Sequence, residues 1–221
     1  DGFVMNILVL AGSMWHPSEM IRRGLADISD YHFDFVEDAK DILTSEMLAC
    51  YPVILCCKSN NLTGSTDAPW FEENVTEVMP KEIRAFVEKG GGFLAVHAGC
   101  CFGFSGEENY GYCELIGSRF VTHPPRCDVR VENFRAHPIT DRVASFSVRD
   151  EHYQLTNFAP DVTPLFDTVS ETGGRQLGGY TRQLGKGRLC VLTPGHILSV
   201  WQNAEYQKLL KNAMEWCGGI R

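Results

Sequence analysis

Gly90-Gly-Gly-Phe-Leu-Ala-Val-His-Ala-Gly99 is the stretch that decides the architecture. Three successive glycines stop a preceding helix. Residues 93–97 then form a short apolar run that ends in histidine, a buried strand entering a turn at Ala98-Gly99. Upstream, Pro80 suits the first turn of a helix over 81–89 that carries Ile83, Phe86 and Val87 on one face. Further back, strands are expected at 5–10, ending in Ala11-Gly12-Ser13, at 31–36 and at 53–57. Helices are expected at 19–28 and 42–49, and residues 58–70 are polar and turn-rich. This alternation of strand and helix from 5 to 97 predicts an α/β fold, a mostly parallel sheet with helices on both faces.

Beyond His97 the texture changes. Residues 127–131, 146–148, 163–169, 177–182 and 189–192 read as strands without full helices between them, hence extra antiparallel strands in the C-terminal half of the same sheet. An amphipathic helix over 203–216 closes the chain, with Tyr206, Leu209, Leu210, Ala213 and Met214 inward. No repeat or linker interrupts residues 1–221, so a single domain is expected, with residues 1–4 a remnant of expression or a trimmed start.

Composition narrows the function classes. At 221 residues, 44% hydrophobic and 22% charged, the chain is of ordinary globular make-up, and it contains no apolar run long enough for a membrane span. Its formal charge of −8 disfavours nucleic acid. Arg119, Arg126, Arg130, Arg135, Arg142 and Arg149 cluster in sequence but fit no groove-binding helix, which leaves a small anionic or polyhydroxyl ligand open. Nine cysteines, an odd number without any C-x-x-C, exclude a disulfide framework and a zinc ribbon. With no signal peptide before Met5, a cytoplasmic location is expected.

Ligands of open parallel sheets bind beyond the carboxyl ends of the strands. Three such ends are followed by histidine: Ser13-Met-Trp-His16-Pro17, His97-Ala-Gly99 and Thr193-Pro-Gly-His196. Any one of them alone reads as a hydrogen-bonded core histidine, whereas three at one rim point to a shared site. His-Pro also occurs three times, against roughly 0.3 expected by chance from the composition. His137-Pro138 reads as loop punctuation; His123, between Phe120 and Pro124-Pro125, is a candidate for the site. In Asp150-Glu151-His152-Tyr153 adjacent side chains alternate if the chain is extended, so at most one carboxylate faces a site, with His152 outward. Glu151 at the histidine rim would be a general base or a metal ligand. There is no Walker loop, G-x-G-x-x-G or H-E-x-x-H, and Gly103-Phe-Ser-Gly-Glu107 misses G-x-S-x-G by its last glycine. Cys100 and Cys101 read as packing before they read as nucleophiles.

The ordered set formed by residues 90–99, Tyr112-Cys-Glu-Leu-Ile-Gly-Ser-Arg-Phe-Val-Thr-His-Pro-Pro125, His137-Pro-Ile-Thr140, Asp150–Tyr153, Gly185-Lys-Gly-Arg188 and Pro194-Gly-His196 resembles the trehalose-utilisation (ThuA-like) family. That resemblance implies a flavodoxin-like, class I glutamine-amidotransferase-like fold. It also implies that His97 stands where an amidotransferase carries its catalytic cysteine, so glutamine hydrolysis through a thioester is not expected. The family is linked to catabolism of disaccharides such as trehalose, alongside sugar dehydrogenases that make keto-sugars.

The leading expectation is therefore an enzyme acting on a sugar or keto-glycoside as hydrolase, lyase or isomerase. His97, Glu151 and His196 are the catalytic candidates. His16, Trp15, Tyr110, Tyr112, His123 and Asp150 are the substrate-binding ones, with the aromatics stacking on sugar faces. One version adds a divalent metal, zinc first, held by His16, His97, His123 and His196; the other shuttles protons beside a ketone. Alternatives are a non-catalytic sugar-binding or regulatory module and a cysteine hydrolase using Cys100 or Cys101. Exposed sheet edges suggest a homo-oligomer.

Overall fold

The computed structural model describes residues 5–13, 15–63, 68–103 and 106–221. The reading of residues 1–4, the middle of the 58–70 loop, and the Phe-Ser of the broken G-x-S-x-G lie outside the described residues. In chain order the elements are β1 (Met5–Leu10), α1 (Ser18–Leu25), β2 (Tyr31–Val36), α2 (Ser45–Leu48), β3 (Val53–Cys56), α3 (Pro80–Glu88) and β4 (Gly92–Val96). There follow a 3-10 turn (His97–Cys100), α4 (Glu108–Ile116), β5 (Arg119–Thr122), β6 (Cys127–Glu132), a second 3-10 turn (Pro138–Thr140) and β7 (Phe146–Asp150). The chain ends with β8 (Gln154–Thr156), β9 (Thr163–Ser170), β10 (Gly174–Leu184), β11 (Gly187–Leu192), α5 (Leu198–Trp201) and α6 (Ala204–Cys217).

Among the described residues nine strands form one sheet in the order β2-β1-β3-β4-β11-β10-β9-β6-β7. From β2 to β11 all pairings are parallel, and from β11 to β7 all are antiparallel. The expected extension of a parallel sheet by antiparallel strands is what forms. The central strands are apolar throughout because both of their faces are covered. Ile7, Val9, Val53, Leu55, Leu94, Val96, Cys190 and Leu192 pack on the face of α1, α5 and α6. Their alternates Leu8, Leu10, Ile54, Cys56, Phe93, Ala95, Leu189 and Val191 pack on the face of α2, α3 and α4. Period-two alternation inside an unbroken apolar run therefore feeds two cores at once. Asn203 caps α6 by accepting from the Glu205 and Tyr206 amides at 3.0 and 3.2 Å, worth about 1 kcal/mol.

Two features depart from the sequence reading. A helix, α4, lies between His97 and the antiparallel half; it opens in left-handed backbone, with φ of 47° at Glu108, 56° at Asn109 and 58° at Tyr110. Also, β5 and β8 pair as a separate antiparallel ribbon. His123, just after β5, and the segment Glu151–Tyr153, just before β8, lie at the same end of that ribbon, where Thr122 pairs with Gln154. Among the described residues no helix is long and apolar enough to cross a membrane.

Candidate active site

The carboxyl ends of β1, β4 and β11 deliver their histidines to one place. The ring centroids of His16, His97 and His196 lie 5.1–5.3 Å apart. Each is aimed by a different local device. His97 takes the first position of the turn after β4 with φ of 50°, a left-handed elbow that drives its side chain up from the strand end. Gly99 lets this elbow pass β3, because a Cβ there would collide with the Cys56 carbonyl. His16 is fixed by a short backbone bridge to Ser13 and by a contact from its Nδ1 to Ser13 Oγ at 3.1 Å. His196 follows Gly195, whose φ of 141° suits glycine. That loop is pinned by Trp201 Nε1 donating to Gly195 O at 2.8 Å and Tyr206 Oη donating to Pro194 O at 2.5 Å.

Glu151 completes the group. Its Oε1 lies 3.1 Å from His97 Nε2 and 3.0 Å from His196 Nδ1, and its Oε2 lies 3.4 Å from His123 Nε2. The His196 approach is close but poorly directed, so it is an electrostatic contact more than a hydrogen bond. Two proton positions follow from partner chemistry. His97 Nδ1 faces Thr193 O at 2.8 Å and His123 Nδ1 faces Pro124 O at 2.9 Å. Carbonyls only accept, so both rings donate from Nδ1 and aim Nε2 at the carboxylate. Tyr153 stacks on His97 with centroids 3.9 Å apart and is backed by Phe120 at 4.8 Å, which fixes the plane of the imidazole.

Burial acts on these groups in opposite senses. Desolvation comes first for Glu151 and would raise its pKa; the adjacent His196 and His97 rings outweigh it and hold the carboxyl well below the usual range. For His16 burial and the neighbouring His97 and His196 act together and push the pKa down to about 2. The unfolded chain titrates His16 at its ordinary 6.5, so it binds the extra proton first as pH falls. Stability from the neutral ring is therefore full above about pH 6.5 and declines below it, by about 1.4 kcal/mol per pH unit for one proton. Unfolding of chelator-treated protein between about pH 7 and 4.5 should show a shallower slope for His16→Asn than for wild type; parallel curves would contradict the assignment.

The other expected site residues fall out differently. Asp150 is 1% exposed and turned away from the cleft. Its carboxylate accepts from the backbone amides of Gly195 at 2.8 Å, His196 at 2.9 Å and Glu151 at 2.9 Å, so it builds the loops that carry the site and does not face a substrate. Burial raises its pKa against the opposing pull of His97 and those amides. Tyr112 is fully buried, its hydroxyl donating to Gly99 O, so the expected sugar-stacking role gives way to core packing under the elbow. Tyr110 is exposed but donates to Asn74 O at 3.3 Å beside a separate cavity of about 700 Å³ whose lining contains no rim histidine. Trp15 stands exposed next to His16. His152 is buried, bonded to Ser170 Oγ at 2.6 Å and Thr168 Oγ1 at 3.0 Å, so it does not point outward. His123 belongs to the rim but not to the tight group of donor atoms, which comprises His16, His97, His196 and Glu151. Cys100 and Cys101 are buried, and burial raises the Cys101 thiol well above its usual range. A hollow of about 820 Å³ between α2 and α3 is lined by Pro52, Gly90 and Gly91 at the opposite end of the strands, away from this chemistry.

Sequence reasoning missed Ser13, Thr193, Arg126 and Tyr153 as supports. Only Tyr153 left a signal, because in extended chain it shares a face with Glu151 two residues before.

The profile of the family described as trehalose utilisation, ThuA, matches residues 6–217. The chain belongs to the ThuA family. Membership supports a role connected with carbohydrate metabolism. Among solved structures, this ThuA-family chain is similar to a ThuA-like protein of Bacteroides uniformis, at 19% identity, TM-score 0.68, over 97% of this chain and 91% of that one. It is also similar to a chain of PurLQS from Thermotoga maritima, at 14% identity, TM-score 0.55, over 98% and 99%. A third similarity is to a cold-adapted β-galactosidase from Rahnella sp. R3, at 12% identity, TM-score 0.62, over 96% of this chain and 31% of that one. At these identities the likeness is one of fold, and it gives ThuA-family architecture its place among class I glutamine-amidotransferase-like, flavodoxin-like sheets. No curated protein matches the chain.

Proposed function

We propose that this ThuA-family protein is an enzyme that acts on a sugar or keto-glycoside bound above the carboxyl ends of β1, β4 and β11. The observation that carries the reading is the placement of one carboxylate, Glu151, within 3.0–3.4 Å of three imidazoles. Two of those rings are locked to donate from Nδ1, so their Nε2 atoms face the carboxylate across a distance at which a proton can be shared, at a partly buried point. Such a point moves protons, which is what reaction next to a sugar ketone requires. The carbonyl acidifies the neighbouring C–H. The pair would take that proton, the C–H electrons would pass into an enolate, and an imidazolium of the rim would protonate whichever oxygen leaves or the carbon that is reprotonated. The carbohydrate class comes from the family, and the acid–base class comes from the residues. His97 cannot form an acyl-thioester, so glutamine hydrolysis lies outside this reading.

The test is turnover of a panel of disaccharides and their keto derivatives, followed by NMR of the released sugars. Turnover of a keto-glycoside, or of the parent disaccharide, is the expected result. Calorimetric binding of these sugars without any turnover would replace the enzyme by a sugar-binding module, and neither binding nor turnover would remove the carbohydrate assignment.

A further inference from the structure

We infer that His16, His97, His196 and Glu151 form a binding site for one divalent ion of the zinc type. The inference concerns the same site as the proposed reaction and deepens it by naming what sits between the imidazoles and the carboxylate, but it is read through the metal and not through turnover.

Four observations carry it. One ligand atom from each of the four residues lies within 4.8 Å of the other three. An ion with tetrahedral ligands at about 2.0–2.1 Å sets its donors roughly 3.3 Å apart, so modest side-chain rotation closes the group around it. Second, His16 Nε2 is buried without a hydrogen-bond partner, and His196 Nδ1 has only its poorly directed contact with Glu151. A buried ring nitrogen left unpaired is costly to the fold, and an ion would engage both.

Third, His97 donates from Nδ1 to Thr193 O, and His16 Nδ1 contacts Ser13 Oγ. A metal-bound histidine is held in the same way, its far nitrogen bonded to a carbonyl or hydroxyl so that its near nitrogen faces the ion. Fourth, because His97 gives its Nδ1 proton to Thr193 O, its Nε2 aims at a carboxylate oxygen 3.1 Å away, an approach that a shared cation makes favourable.

Nitrogen donors with a single carboxylate select Zn²⁺, Co²⁺ or a neighbouring transition metal over Mg²⁺ and Ca²⁺, which prefer oxygen. Arginine only donates, so Arg126 Nη2, 2.9 Å from His196 Nε2, now holds the His196 proton on Nδ1. Metal entry at Nδ1 displaces that proton and turns the exposed Arg126 outward.

The experiment uses untagged, chelator-stripped full chain, titrated with Zn²⁺ by calorimetry and analysed for metal content, with Co²⁺ absorption as a second probe. One ion per folded chain is expected, with its affinity falling as pH drops. His16→Ala, His97→Ala and Glu151→Gln should each weaken binding at least about 100-fold while circular dichroism stays native, and Ser13→Ala should weaken it about 10–100-fold. His137→Ala, outside the group, should bind as wild type. No stoichiometric ion on the wild-type protein, or an ion retained by all three ligand variants, overturns the site. Keto-glycoside turnover by stripped protein that takes up no ion would sink the metal and leave the enzyme reading intact. One tightly bound ion with no reaction on any glycoside would do the reverse.

Discussion

His97→Ala should lower turnover of the sugar substrate by about 10²–10⁴-fold, the usual loss when a positioned acid–base group is removed. Ground-state sugar affinity should change far less, so the effect falls on kcat and not on KM. The reason lies in how many constraints converge on this one ring. It is stacked on Tyr153 at 3.9 Å, tied to Thr193 O at 2.8 Å and set 3.1 Å from Glu151. Truncation removes all three at once, and a water placed there would have no fixed orientation. The same truncation leaves the Thr193 carbonyl without its donor, at a cost of about 1–3 kcal/mol. His97→Asn is therefore the companion variant: its short polar side chain tolerates left-handed backbone and keeps the elbow. Both variants should be inactive and folded. Activity within about tenfold of wild type in either would move the chemistry off β4.

Asp150→Ala should be the most destabilising single change near the site, by about 3–5 kcal/mol in denaturant unfolding. Its carboxylate serves the amides of Glu151, Gly195 and His196, at 2.8–2.9 Å, in a place almost without solvent. Each amide left unpaired costs about 1–3 kcal/mol, and partial entry of water recovers some of the sum. Asp150→Asn keeps an accepting oxygen and should lose about half as much. Because the same amides aim Glu151 and His196, both variants should also lose activity beyond what their unfolded fraction explains. A midpoint within about 1 kcal/mol of wild type for Asp150→Ala would show that the two loops are held by other contacts.

The parallel half of the sheet was readable because its signals are local. A glycine stop, a proline start and five-residue apolar runs each report one element, and alternation of the runs with helices reports how they pair. The rim histidines were readable for the same reason, since a residue that ends a parallel strand has its location fixed by topology. What failed was orientation. Alternation through Asp150-Glu151 says that only one carboxylate faces the cleft, and nothing local says which; the decision is made by the Pro194–His196 loop, whose amides claim Asp150. Tyr112 and Tyr110 lie two residues apart on α4, one fully buried and one exposed. The left-handed start of that helix breaks the spacing from which a face would be read. The β5–β8 ribbon escaped notice because strands of four and three residues carry too little pattern, yet it brings His123 and Tyr153 to the others.

The left-handed turn at His97 has a meaning for how such a chain changes over time. A histidine in that backbone conformation costs the fold on the order of 1 kcal/mol that glycine would not. Against that cost stand the bond to Thr193 O and the stack on Tyr153, which the fold would lose with the ring. The position therefore answers two demands at once, the backbone's for a small residue and the site's for an imidazole.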